Sequence, residues 1–175
     1  MEKALKDIAK NYGIYLGLVL MCLTVLAYFV SLDLFVNPWF GISIYVMSIF
    51  FGFISVVKTK DYFEGYLSFK YAFTAYFVVI LIGLVIYTVT SVILFNVVDP
   101  EASNILQEKS IEKITEIYSR MDIPEAEIEK MVRVMKSQDL YSLGNSITNL
   151  VVTYLLPLSV IGLLVAAALK KNKPE

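Results

Sequence analysis

The chain has 175 residues; 58% are hydrophobic, 14% aromatic and only 18% charged, and the formal net charge is −1. An ordinary soluble domain is about 45–50% apolar and about 25% charged, so this composition argues against a soluble globular enzyme. There is no histidine and one cysteine, Cys22, which removes the commonest general base and metal ligand, any intrachain disulfide and any thiolate cluster; the balanced charge also speaks against nucleic-acid binding.

Four uncharged runs are long enough to cross a bilayer as helices. The first is Asn11–Leu32, preceded by Lys3, Lys6 and Lys10; it is too long for a signal-peptide core and lacks a small-residue cleavage site, so it is expected to stay. The second is Leu34–Val57 and the third Tyr71–Val98. The third has 28 uncharged residues, about 42 Å of helix against a hydrocarbon core of about 30 Å, and is expected to tilt or project. The fourth, Leu140–Leu169, is apolar from near Ile147. The predicted fold is all-α: a four-helix membrane bundle divided as 1–98 (three spans), 99–143 (a helical hairpin) and 144–175 (span four and a basic tail).

Nine lysines lie in the two tails and the loop between spans two and three, while 33–38 has none. The positive-inside rule therefore predicts cytoplasmic termini and an extracytoplasmic segment 99–139. That segment carries six positive and ten negative residues. Ile111, Ile114, Ile117 and Met121 recur at helical spacing, with Glu108, Glu112 and Glu116 on another face; Ile128, Met131, Val132 and Met135 form a second stripe. Asp99-Pro100-Glu101 and Asp122-Ile-Pro-Glu125 are helix starts. Glu116 with Arg120 and Glu129 with Arg133 are expected ion pairs. The acidic face is read first as solvated and second as a surface for a partner.

No Asp, Glu, Lys or Arg lies within a span core, which lowers the expectation of proton-coupled transport or acid-pair catalysis. Gly13 and Gly17, Ser48 and Gly52, and Gly162 and Ala166 are small-residue pairs that let helix backbones approach, expected within this chain and alternatively in a dimer. In span four Asn145, Asn149, Thr153 and Pro157 recur every four residues. Pro157 cannot donate to the Thr153 carbonyl, so a kink is expected there. This stripe, with Tyr87, Thr88 and Ser91 of span three as partners, is expected to serve interhelical hydrogen bonding, or else to line a polar notch. Cys22 reads as an apolar filler, and Asp99 with Glu101 lacks the further oxygens a calcium site needs.

Five ordered motifs resemble the domain of unknown function 4199 family: Ala4 through Tyr12-Gly-Ile-Tyr-Leu-Gly17, Gly65-Tyr-Leu-Ser-Phe with Ala72-Phe73, Phe95-Asn-Val-Val-Asp-Pro100, Met121-Asp-Ile-Pro-Glu125, and Leu169-Lys-Lys-Asn-Lys-Pro174. The resemblance implies four spans in the inner membrane of Gram-negative bacteria and brings no activity or functional residues. Taken together, the sequence points to a non-enzymatic accessory or scaffold protein without a cofactor, in contact with lipid and with a membrane-protein partner or a second copy. The alternative is a small oligomeric channel or transporter for a neutral or lipid-like solute.

Overall fold

The computed structural model describes residues 2–121 and 123–171. Four helices are long and apolar enough to cross a membrane: Lys3–Val30, Pro38–Tyr62, Phe69–Val98 and Leu143–Leu169. The first belongs to α1 (Glu2–Val30), whose helix begins well before the uncharged run and carries its lysines on the leading turns. The second span starts later than the uncharged run suggests. Asp33–Val36 is a separate helical turn, α2, and the membrane helix α3 is Pro38–Tyr62. Asn37 causes the break: its side chain accepts from the Trp39 N–H (3.0 Å), and Pro38 fits the first turn, where no N–H is needed. At its other end α3 finishes at Tyr62 and the chain leaves it through Glu64 and Gly65, both with positive φ; the Gly65 N–H reaches back to the Lys60 carbonyl at 2.9 Å. Glycine tolerates this left-handed exit without a Cβ penalty.

Span three is α4 (Phe69–Ile93), extended by a π-helical turn at Leu94–Val98. The hairpin follows as α5 (Pro100–Arg120) and α6 (Glu125–Ser137). Asp99 caps α5 by accepting from the Ala102 N–H at 3.0 Å. In the second helix start Pro124 precedes the first helical residue, Glu125, rather than occupying the first turn; the expected cap, Asp122, lies outside the described residues. Span four is composite: α7 (Leu143–Asn149), a second π segment (Leu150–Leu155) and α8 (Leu156–Leu169).

Helix α4 is central and touches the other three spans. Its contact with α1 interlocks both ways. Ile82 and Ile86 lie over Gly13 and Gly17, while Leu16 lies over Gly83; a Cβ at any of these glycines would come within 3 Å of the opposing side chain. At the middle of the bundle the ring of Tyr76, fully buried, is held edge to edge between Gly52 of α3 and Gly162 of α8. Leu16, Ile80, Leu84 and Leu158 complete a solid centre. Small residues allow this approach because in lipid the gain is van der Waals packing rather than transfer out of water. Ser48 and Ala166, one turn from these glycines, are also buried. The small-residue pairs thus sit at contacts between this chain's own spans. Cys22 is exposed on the bundle's flank instead of filling the core.

The two ends of the bundle differ. At the end where α1 begins and α8 finishes, Leu67 and Lys171 exchange two backbone hydrogen bonds of 2.8 Å. At the other end the hairpin is docked, not splayed. Leu94, Phe95, Ala102 and Leu106 form a second buried cluster with Tyr28, Leu32, Phe35, Val36 and Tyr141 around it. Polar ties reinforce it: the Tyr28 hydroxyl donates to Asp99 (2.6 Å), and Lys109 pairs with Asp33.

Candidate functional site

Spans two and four pack together along α8 and diverge towards the hairpin end, where span four leans on α4 instead. The divergence opens a cavity of about 530 Å³ bounded by spans two, three and four and roofed by the hairpin. This volume falls in the range of small-molecule sites, about 300–1,000 Å³. The wall combines aromatic rings (Phe35, Phe40, Phe95, Tyr87, Tyr141, Tyr154) with neutral polar groups, and no charged residue lines it.

Backbone chemistry explains the shape. Pro157 lacks an N–H, so the Thr153 carbonyl loses its ordinary helical partner. The helix answers by widening into the π segment Leu150–Leu155, and the Thr153 carbonyl accepts the hydroxyl of Tyr45 from α3. Tyr45 thus struts the floor of the cleft, with its ring 5.5 Å from that of Tyr154, which in turn lies 5.9 Å from Tyr87. The other π segment, Leu94–Val98, contributes Phe95 to the opposite wall. Such segments make up well under 1% of residues in proteins and concentrate at functional sites; here both border one cavity.

The roof is Tyr141. Its ring packs 5.6 Å from Phe95, its carbonyl accepts from Asn96 (2.9 Å) and its hydroxyl lies 3.4 Å from Ser110. Burial raises its phenol pKa, so it stays a neutral hydrogen-bonding group. Gln107 locks the hairpin in place, donating to the Met135 and Gln138 carbonyls (3.3 and 3.1 Å) and accepting from the Leu140 N–H (3.3 Å).

The residues singled out in the sequence fall as follows. Asn149, Thr153, Tyr87 and Ser91 all line the cavity, as do Asn145 and Thr88. Pro157 does not: a spacing of four drifts around a helix of 3.6 residues per turn, and the π turn shifts the register further. The expected hydrogen bonds between the stripe and span three do not form. Asn145 donates instead to the Asp139 carbonyl at 2.6 Å. The Ser91 hydroxyl is buried beside the Tyr87 hydroxyl of its own helix and bonds nothing in the span-four stripe, and no hydrogen bond joins the Asn149 amide or the Thr153 hydroxyl to another group of the described chain. Phe40, Gly41, Phe95, Tyr141 and Tyr154 were not visible as site residues in the sequence, because nothing in their local pattern separates them from ordinary packing residues.

On the hairpin, Glu116 is engaged by Lys113 (2.8 Å) and Arg120 (2.6 Å). The Lys113 hydrogen bond and the two positive charges hold its carboxyl below the ordinary range. Glu108 and Glu112 are exposed and make no ion pair among the described residues, and Glu129 does not pair with Arg133. Among the described residues no group of His, Cys, Asp or Glu could hold a metal ion. Asp99 has both carboxylate oxygens engaged, by Tyr28 and Ala102, which leaves the Asp99–Glu101 pair ill suited to calcium.

No curated protein and no solved structure matches the chain. The model of a family described as protein of unknown function, DUF4199, matches residues 11–171, from the first span past the end of the fourth, and the chain belongs to that family.

Proposed function

We propose that this chain is a non-catalytic accessory protein of the cytoplasmic membrane, with cytoplasmic termini, that holds a membrane-protein partner against its extracytoplasmic hairpin. The carrying observation is the solid middle of the bundle. Tyr76, Leu16, Ile80, Leu84 and Leu158 are all essentially without exposed surface, so a single chain offers no route for a solute from one end to the other. The spans also lack Asp, Glu, Lys and Arg in their cores and the chain lacks histidine, which supports a role without acid–base chemistry. The hairpin is fixed to the bundle by Tyr28–Asp99, Lys109–Asp33 and Gln107, and it presents Glu108 and Glu112 uncommitted. The lysine distribution supports placing that face outside.

Purification of the tagged protein from its native membranes in a mild detergent, with mass spectrometry of what accompanies it, tests this reading. A stoichiometric membrane protein that is released by Glu108→Lys with Glu112→Lys is the expected result. Recovery of the chain alone, or a companion indifferent to the charge reversal, overturns it. Transport of a neutral or lipid-like solute is the second reading, favoured by the uncharged cavity. It would require a path between copies, and Asn149→Leu with Thr153→Val would then abolish transport while sparing the partner.

A further inference from the structure

We propose that the cavity at the hairpin end is a binding site for an uncharged amphiphile taken from the bilayer, a hydrocarbon chain ending in a hydroxyl or ester head. The proposal goes beyond the partner reading and stands apart from it, because the cavity and the Glu108–Glu112 face are different surfaces.

Three features of the site define the occupant. First, the wall is uncharged, so it offers no counter-ion to a phosphate, carboxylate or ammonium; bringing one in would leave a charge desolvated and unpaired. Second, uncommitted polar groups converge there. The Asn149 amide and the Thr153 hydroxyl line the cavity and are exposed at its mouth, and no hydrogen bond joins either to another group of the described chain. Inside a membrane each such group costs free energy until something bonds to it. A hydroxyl or ester presents the acceptors, and a hydroxyl also the donor, that these two side chains can match. Third, the mouth opens sideways. Thr148, Asn149, Val152 and Thr153 are exposed within the membrane-spanning stretch of span four, and Val152 is 57% exposed. A ligand entering there comes from the apolar layer, and its tail can remain in it. Phe40, Phe95 and Tyr154 would flank the head-proximal part of the chain.

Gly41 supplies the test. It lines the cavity, and a Cβ added there meets nothing within 4 Å. Gly41→Phe therefore fills the site without a clash at its first atom. The full-length protein in dodecyl maltoside would be titrated with dioleoylglycerol, followed by native mass spectrometry and thermal unfolding. Dioleoyl phosphatidylglycerol, identical in its tails but anionic, is the control. The wild type is expected to take one dioleoylglycerol saturably, with a raised melting temperature, and to discriminate against the anionic lipid. Gly41→Phe and Asn149→Leu with Thr153→Val should each weaken binding at least about ten-fold, and Gly41→Phe without lipid should melt no lower than the wild type. Glu108→Lys with Glu112→Lys should leave lipid binding unchanged whether or not it releases a partner. No saturable adduct, equal binding of the two lipids, or full binding by a folded Gly41→Phe protein would each overturn the assignment. If Gly41→Phe fails to fold, the Asn149→Leu, Thr153→Val protein decides: undiminished binding overturns the site.

Discussion

Two glycines in α3 should respond in opposite directions to the same substitution. Gly41 faces open space, and Gly52 faces the Tyr76 ring, where a Cβ would sit 2.6 Å from Cε2 and 2.7 Å from Cδ2. Carbon atoms pack best about 3.5–4.0 Å apart, so Gly52→Ala demands that the ring retreat by about 1 Å. The ring has nowhere to go. Its other edge already lies where a Cβ at Gly162 would be 2.5 Å from Cδ1, and movement away from α3 drives it into α8. Overpacking of this kind costs about 1–3 kcal/mol, against a helix-propensity gain for alanine of up to about 1 kcal/mol. With that gain set in full against the cost, the net expectation for Gly52→Ala is a loss of up to about 2 kcal/mol, and for Gly41→Ala a gain of up to about 1 kcal/mol.

Unfolding by dodecyl sulfate titration in dodecyl maltoside micelles, followed by circular dichroism, measures both. Gly162→Ala should behave as Gly52→Ala does. Combining Gly52→Ala with Tyr76→Leu should recover part of the loss, with a coupling energy within the usual 0.5–3 kcal/mol for contacting residues, roughly. Tyr76→Phe isolates the hydroxyl, which is buried without a partner. Its removal should be neutral or stabilising, since an unsatisfied buried group costs about 1–3 kcal/mol. Equal stability of Gly52→Ala and Gly41→Ala, or additivity of Gly52→Ala with Tyr76→Leu, would refute the clamp.

The docked hairpin should be acid-sensitive. Hydrogen bonds from Tyr28 and Ala102 lower the Asp99 carboxyl pKa, and the bond to Lys109 together with its charge lowers that of Asp33. A lowered folded-state value means that the contribution is fully present above the unfolded pKa, about 3.9 for Asp, and is lost as pH falls through the lower folded value. Hydrogen-exchange protection across 100–137, taken relative to the unstructured rate at each pH, should therefore hold steady from neutrality to about pH 4 and fall below it; protection that stays constant down to pH 2 would contradict this. Tyr45→Phe should cost about 0.6 kcal/mol, a typical interhelical bond in a membrane, and should loosen the amides of 150–155 more than those of α8. A topology reporter inserted within 103–138 should be active only on the extracytoplasmic side, and activity inside the cell would reverse the placement.

The spans were legible because their signal is long and redundant: an uncharged run near twenty residues survives an error of several at either end. The α3 boundary shows the limit. Asp33–Val36 has the composition to continue the run, and only the local chemistry of Asn37 and Pro38 separates it, turning α2 towards the hairpin helix α5. The small residues were legible as helix contacts, but not their targets, because Gly52 and Gly162 meet through Tyr76, a residue of a third helix.

The cavity was half legible for a related reason. Asn149, Thr153, Tyr87 and Ser91 stand out as polar groups in apolar helices, and a regular helix predicts that they bond to each other across the bundle. That prediction fails because Pro157 changes the backbone a turn upstream. Freed of its helical partner, the Thr153 carbonyl takes the Tyr45 hydroxyl, and the π turn carries the neighbouring side chains out of register. Asn149 and Thr153 then line space instead of meeting the polar groups of span three. A proline read only as a kink thus has a larger consequence in this chain: it turns a seam of interhelical hydrogen bonds into an uncharged cavity whose hydrogen-bonding groups await a partner from outside the protein.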